Sequence, residues 1–211
     1  MSMGPVRDQL VLAALPHVPF DGWSWRSLQT AAVNEGLAPS MAERAFPDGP
    51  VGAVEHFSAL ADRQVREEAR AADLSAIGMT GRVAWLVRRR IEAWEDHKEA
   101  VRRAGTLLCL PQHAPVALRM AWRTADALWD AAGIHSTDFS YYTRRASLAA
   151  VVATTGLFWL DDTSIGSEET WRFLERRLAN ILLLPKIGAS VRRQVGDLVK
   201  PFDVWMRQSA R

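Results

Sequence analysis

Five histidines, one cysteine and two adjacent aspartates are the residues of this 211-residue chain with the plainest capacity for chemistry. His17, His56, His97, His113 and His135 are scattered, and none is paired with a carboxylate or with Cys109 at metal-ligand spacing. A di-iron centre in a helical bundle would need two Glu-x-x-His pairs plus two further glutamates, and no such pair occurs. Asp161 and Asp162 could share acid–base work, but neighbours at a helix end face different ways and read instead as a solvated turn. Gly49-Pro-Val-Gly52 is a turn rather than a phosphate cradle, and neither a nucleophile elbow nor a Walker pattern is present. The expectation is a binding protein without cofactor or metal, not an enzyme; catalysis on a bound molecule would lack a nucleophile or an acid–base pair.

The charges are unevenly placed. The chain carries +2 overall, yet the stretch from Lys186 to Arg211 holds six basic residues (Lys186, Arg192, Arg193, Lys200, Arg207, Arg211) against two acidic ones, Asp197 and Asp203. This tail is therefore cationic and the remainder slightly acidic, which asks what the tail touches. Its apolar residues, Val191, Val195, Leu198, Val199, Phe202, Trp205 and Met206, recur at spacings of three and four, the pattern of a basic amphipathic helix. Such a helix could dock on its own body, pair with a second subunit or lie in a membrane interface. The membrane reading is preferred, because a docking helix needs no cationic excess; Arg192, Lys200 and Arg207 would meet anionic headgroups while Phe202 and Trp205 enter the apolar layer.

The elements that must position these groups are helices throughout. Apolar residues repeat at helical spacing and no stretch alternates with period two, so the fold class is all-α. The spacing predicts helices over Pro5 to Leu15, over a segment capped by Ser24 and closed near Gly36, and over a short segment opened by a Ser40–Glu43 capping box and stopped by Pro47. Longer helices are predicted at 51–72, 80–98, 99–108, 113–132, 138–161, 167–184 and 189–208, with Ser167 capping the penultimate one. The organisation is thus a three-helix head (1–50), a helical body (51–185) and an amphipathic C-terminal helix (186–211).

Composition excludes several classes. The longest run free of charged residues and histidine, Ala146 to Leu160, spans 15 residues, about 22 Å as a helix against a hydrocarbon core of about 30 Å. No transmembrane helix is expected, neither a secretory signal nor an Arg-rich transit peptide is read at the N-terminus, and a lone cysteine fits a reducing compartment. The head has helix-turn-helix lengths, but its would-be reading helix offers only Ser40, Met41, Glu43 and Arg44, a poor footprint for phosphates or base edges. No nucleic-acid partner is expected, though a ligand-responsive transcription regulator remains the second reading. The body, in contrast, is rich in large apolar groups, with much of the chain's load of nine tryptophans. Such a set makes either a plain core or the wall of an apolar ligand chamber. From their helix faces, Trp85, Trp94, Leu108, Leu128, Val151, Thr155 and Phe158 are assigned to that wall.

A family resemblance sharpens these readings. The stretch His135-Ser-Thr-Asp-Phe-Ser-Tyr-Tyr-Thr-Arg-Arg-Ala146, continued through Thr154-Thr155, Asp161-Asp162 and Glu169-Thr-Trp-Arg-Phe-Leu-Glu-Arg-Arg177, resembles the accessory lipid-binding family of ubiquinone biosynthesis. Ala14-Leu-Pro-His-Val-Pro-Phe-Asp-Gly-Trp23 and Leu110-Pro-Gln-His113 match the same family. The resemblance implies a fold similar to TetR-type regulators and a homodimer. It implies a body that holds an isoprenoid quinone precursor or a phospholipid, and a ring hydroxylase of the ubiquinone pathway as partner. It implies a site at the membrane surface, on the cytoplasmic face of a bacterial inner membrane. The family's partner-facing motif falls on Asp138, Phe139, Tyr141, Tyr142 and Arg145, with Tyr141 standing where the family commonly has Trp.

Overall fold

The computed structural model describes residues 3–133 and 140–183, and every regular element among them is helical. The first is α1 (Met3–Ala14), stopped as expected ahead of Pro16, and the chain then makes an unanticipated turn of helix, α2 (Val18–Asp21). Pro19 sits in its first turn and Gly22 ends it at a φ of +66°, a conformation that favours glycine. Next comes α3 (Trp25–Asn34), where Ser24 accepts from the Ser27 backbone N–H and the Ser27 hydroxyl oxygen accepts from Ser24 in return, a reciprocal cap.

The capping box expected at Ser40 does not form on α4 (Met41–Ala45). Ser40 itself has helical backbone angles, whereas a side-chain cap needs an extended one, and Glu43 is turned aside to accept from Gln29 at 2.6 Å. The remaining helices are α5 (Pro50–Ala71), α6 (Met79–Glu92), α7 (Lys98–Leu108), α8 (Ala114–Ala131), α9 (Ser140–Asp161) and α10 (Glu168–Leu183). The helix predicted over 80–98 stops early at Glu92, because Trp94 leaves helical geometry and a single 3-10 turn, Glu95–His97, precedes α7.

Ser167 does not cap α10 either; it is buried at a φ of +56°. The cap comes from farther back. Asp162 accepts from the Ser164 N–H at 2.8 Å and from the Thr170 N–H at 2.9 Å and its hydroxyl, and Ser164 accepts from the Glu169 N–H at 3.1 Å. Against a desolvation that opposes ionisation, these hydrogen bonds from Thr170 and Ser164 hold the Asp162 carboxyl well below the usual carboxylate range. The residue read as part of a solvated turn therefore fixes the corner between α9 and α10.

Head and body share one apolar core, running from Leu10, Val18 and Leu28 through Phe57 and Leu86 to Leu128, Leu148 and Trp159. Polar clamps join them. Asp8 of α1 binds His56 at 2.6 Å and the Arg63 guanidinium, both on α5. Burial outweighs the Asp8 hydrogen bond and holds the His56 imidazole below its ordinary range, so at neutral pH it is the neutral ring, donating Nε2–H. Trp23 Nε1 donates to the Ala100 carbonyl of α7 at 3.0 Å.

Within the body α8 packs between α5 and α9. Glu55 on α5 takes Arg119 at 2.9 and 3.1 Å and Arg123 at 2.6 Å, both from α8. About two turns farther along, Asp62 of α5 accepts from Arg90 of α6 at 2.7 Å and from the Thr124 hydroxyl of α8 at 3.0 Å, and Arg90 also reaches Ser58 at 2.9 Å. Asp62 and Thr124 are buried. Removing one side of a buried ion pair strands the other, at a cost of about 3–5 kcal/mol. Urea denaturation of Asp62→Ala is expected to show a loss of that size, with Asp73→Ala, an exposed control, within about 0.5 kcal/mol of the parent.

Candidate functional site

The inward face of α9 is written at spacings of three and four. Leu148, Val151, Thr155 and Trp159 are all buried, while Ala146, Ala150, Ala153, Thr154 and Leu157 look outward. At 100° per residue these two sets fall on opposite sides of one helix. The inward row meets α8, whose Leu128 is fully buried, and the chain after α6, where Trp94 is buried with its ring against Phe57 at 4.5 Å.

Of the residues assigned to an apolar wall, Trp94, Leu128 and Val151 belong to this one core, Thr155 is wholly buried beside them on α9, and Trp85 and Leu108 pack against it from the half-buried layer. Phe158 does not join them. It immediately precedes Trp159, is 37% exposed, and stacks on Phe173 of α10 at 4.8 Å. Arg177 lies over that Phe173 ring at 4.9 Å.

Trp159, like Leu148, is an interior residue of α9 outside the wall assignment. Its signal was the repeat itself, since it lies four residues after Thr155 and eight after Val151. Trp159 Nε1 donates to Glu95 at 2.9 Å, and the Lys98 ammonium sits 4.9 Å from its ring centroid while pairing with Glu95 at 3.0 Å. These contacts bring the 3-10 turn after α6 onto the C-terminal half of α9. Arg102 extends the same seam, donating to Asp161 at 2.8 Å and to the Leu160 carbonyl at 2.6 Å.

The motif assigned to a protein partner lies at the start of α9. Asp138 and Phe139 fall outside the described residues, as does the side chain of Tyr141. Tyr142 is half-buried and stacked on Trp122 of α8 at 6.0 Å. Arg145 is buried and donates to Asp126 of α8 at 2.6 Å, so its guanidinium ties α9 to α8. The tail residues Arg192, Lys200, Phe202, Trp205 and Arg207 also lie outside the described residues. Among the described residues there is no group of three or more His, Cys, Asp or Glu that could hold a metal ion, and no helix long and apolar enough to cross a membrane.

Comparison with known proteins bears on this arrangement. The COQ9 family model matches residues 114–184, the segment holding α8, α9 and α10. The mitochondrial ubiquinone biosynthesis protein COQ9 of Homo sapiens is 33% identical over 202 residues, covering 92% of this chain and 63% of that protein. Its Drosophila melanogaster counterpart is 34% identical over 177 residues, covering 82% of this chain and 54% of the relative. The chain thus spans between half and two thirds of the length of these relatives. Among solved structures, a TetR transcriptional regulator from Nitrosomonas europaea superposes with a TM-score of 0.68 over 85% of this chain and 99% of that one, at 18% identity. The fold is therefore TetR-like and all-α.

The inward and outward assignments separate on mutation. Leu128→Ala is expected to cost about 2–5 kcal/mol as a buried truncation, whereas Phe158→Ala should cost about 1 kcal/mol or less as a half-exposed one. Paired urea melts check the order.

Proposed function

The chain belongs to the COQ9 family, and from that premise we propose that it serves ubiquinone biosynthesis as a non-catalytic lipid-binding protein. In this reading it draws an isoprenoid quinone precursor, or a phospholipid in its place, out of the bilayer and presents the precursor to a ring hydroxylase of the pathway. The observation that carries the reading is the make-up of the body's interior. From α5, α6, α8 and α9 it receives Phe57, Leu86, Leu128, Val151 and Trp159, all large, apolar and buried. That is the lining an apolar chain requires. A polyprenyl tail in water exposes apolar area at about 25 cal/mol per Å², so a hydrophobic body lowers the cost of lifting the headgroup from the membrane.

The cationic tail supplies the membrane contact, through Arg192, Lys200 and Arg207 at the headgroups and Phe202 and Trp205 below them. The membrane surface is taken to be the cytoplasmic face of a bacterial inner membrane, the counterpart of the mitochondrial setting that the relatives' names carry. The hydroxylase would dock at the start of α9, where Asp138, Phe139, Tyr141 and Tyr142 cluster in sequence and Arg145 braces the helix on α8.

The outward face of α9 suits a second copy of the chain. Ala146, Ala150 and Ala153 allow close approach of another helix, and Leu157, 63% exposed, continues the stripe. A face of this kind can be self-complementary about a two-fold axis. Two outcomes are expected. Sedimentation should find a dimer that Leu157→Glu converts to monomer; a dimer unaffected by the change would move the interface elsewhere. Flotation with anionic vesicles should carry the full chain and leave behind the chain lacking residues 188–211. Flotation of both would exclude the tail as the anchor, and sequence-specific DNA retention without lipid capture would favour a TetR-like regulator instead.

A further inference from the structure

A threonine inside a helix ordinarily satisfies its hydroxyl on the carbonyl one turn back. Thr154 does so, donating to the Ala150 carbonyl at 2.7 Å. Its neighbour Thr155 does not: the residue is 0% exposed and Oγ1 has no hydrogen-bond partner. Trp94 is in the same condition, 6% exposed with an unpartnered Nε1. A buried donor without a partner forfeits its hydration with no return, and native proteins keep few of them.

The Glu95–Trp159 hydrogen bond brings these two residues to one end of the body. Trp94 immediately precedes Glu95, and Thr155 lies one helical turn before Trp159 on the same face of α9. The charged groups flanking that contact, Glu95 and Lys98, pair with each other at 3.0 Å. The buried Arg145 is likewise engaged on Asp126, and the half-buried Arg90 on Asp62. Among these groups a phosphate finds no unengaged cation, while Trp94 Nε1 and Thr155 Oγ1 are a neutral N–H and O–H with no partner of their own.

Resting on the lipid-carrier reading above, we propose that Trp94 Nε1 and Thr155 Oγ1 are the polar anchors for the headgroup of the bound isoprenoid, recognising the neutral carbonyl, hydroxyl or ether oxygens of its ring. The indole N–H donates to a ring oxygen, and the threonine hydroxyl either donates or accepts, according to whether it faces a carbonyl or a ring hydroxyl. The apolar groups around them then hold the prenyl chain without directional contacts.

The test uses the full chain and three probes: a benzoquinone bearing two prenyl units, the corresponding diprenylated benzene without ring oxygens, and a short-chain phosphatidylglycerol. Affinities are measured by calorimetry for the parent, Thr155→Val and Trp94→Phe. The parent should bind the quinone about tenfold or more tightly than the hydrocarbon, and each variant should lose about tenfold for the quinone while staying within about twofold for the hydrocarbon, as expected for one hydrogen bond removed. Thr155→Val should also leave the melting temperature of the ligand-free protein unchanged or higher, because its hydroxyl has no partner to lose. Quinone affinity unchanged in both variants would overturn the anchors while leaving the carrier reading in place. An equal loss for phosphatidylglycerol would reassign them to ester carbonyls and overturn the ring assignment. Binding of none of the three probes would overturn the carrier reading and the anchors with it.

Discussion

The buried ion pair of Asp62 with Arg90, closed by the Thr124 hydroxyl, binds three helices of the body in one register. Charges inside a protein persist only when fully partnered, so α5, α6 and α8 cannot slide past one another without exposing or orphaning one of these groups. The outer Glu55–Arg119 pair sets α5 and α8 in the same register farther along, with the hydrogen bond and charge of Arg119 holding the Glu55 carboxyl below its ordinary range against burial. On this frame Phe57 meets Trp94, and α9 has a fixed surface to lie against. The apolar interior is thus positioned by a small polar network, which also accounts for how so large a set of tryptophans and leucines adopts one arrangement.

Much of this was legible in the sequence. The helices from α5 to α10 follow from apolar residues at spacings of three and four, and the Ser24 cap follows from residue type and position. What was missed was decided by contacts distant in sequence. Ser40 and Ser167 have the right chemistry for caps but the wrong backbone, because Glu43 is drawn to Gln29 and the corner before α10 is held by Asp162. The early end of α6 is equally invisible locally, since it depends on Glu95 reaching Trp159, 64 residues away.

The candidate wall was legible to the resolution of a helix face and no better. Val151 and Thr155 are buried, whereas Phe158, seven residues after Val151 and on nearly the same line of the helix, is partly exposed because its ring stacks on Phe173 of α10, a contact distant in sequence. No pattern in the sequence marks Thr155 as having an unpartnered hydroxyl; only the comparison with Thr154, whose hydroxyl is bonded, separates them. The near-neutral charge of the chain likewise conceals two unlike parts, a slightly acidic body and a cationic tail.

Whether this interior holds a lipid is read by organic extraction of the freshly purified full chain followed by mass spectrometry. A lipid carrier should release a stoichiometric isoprenoid of the ubiquinone pathway, or a phospholipid in its place, on unfolding. Protein that yields neither above the level carried by a control protein purified alongside it is not a lipid carrier.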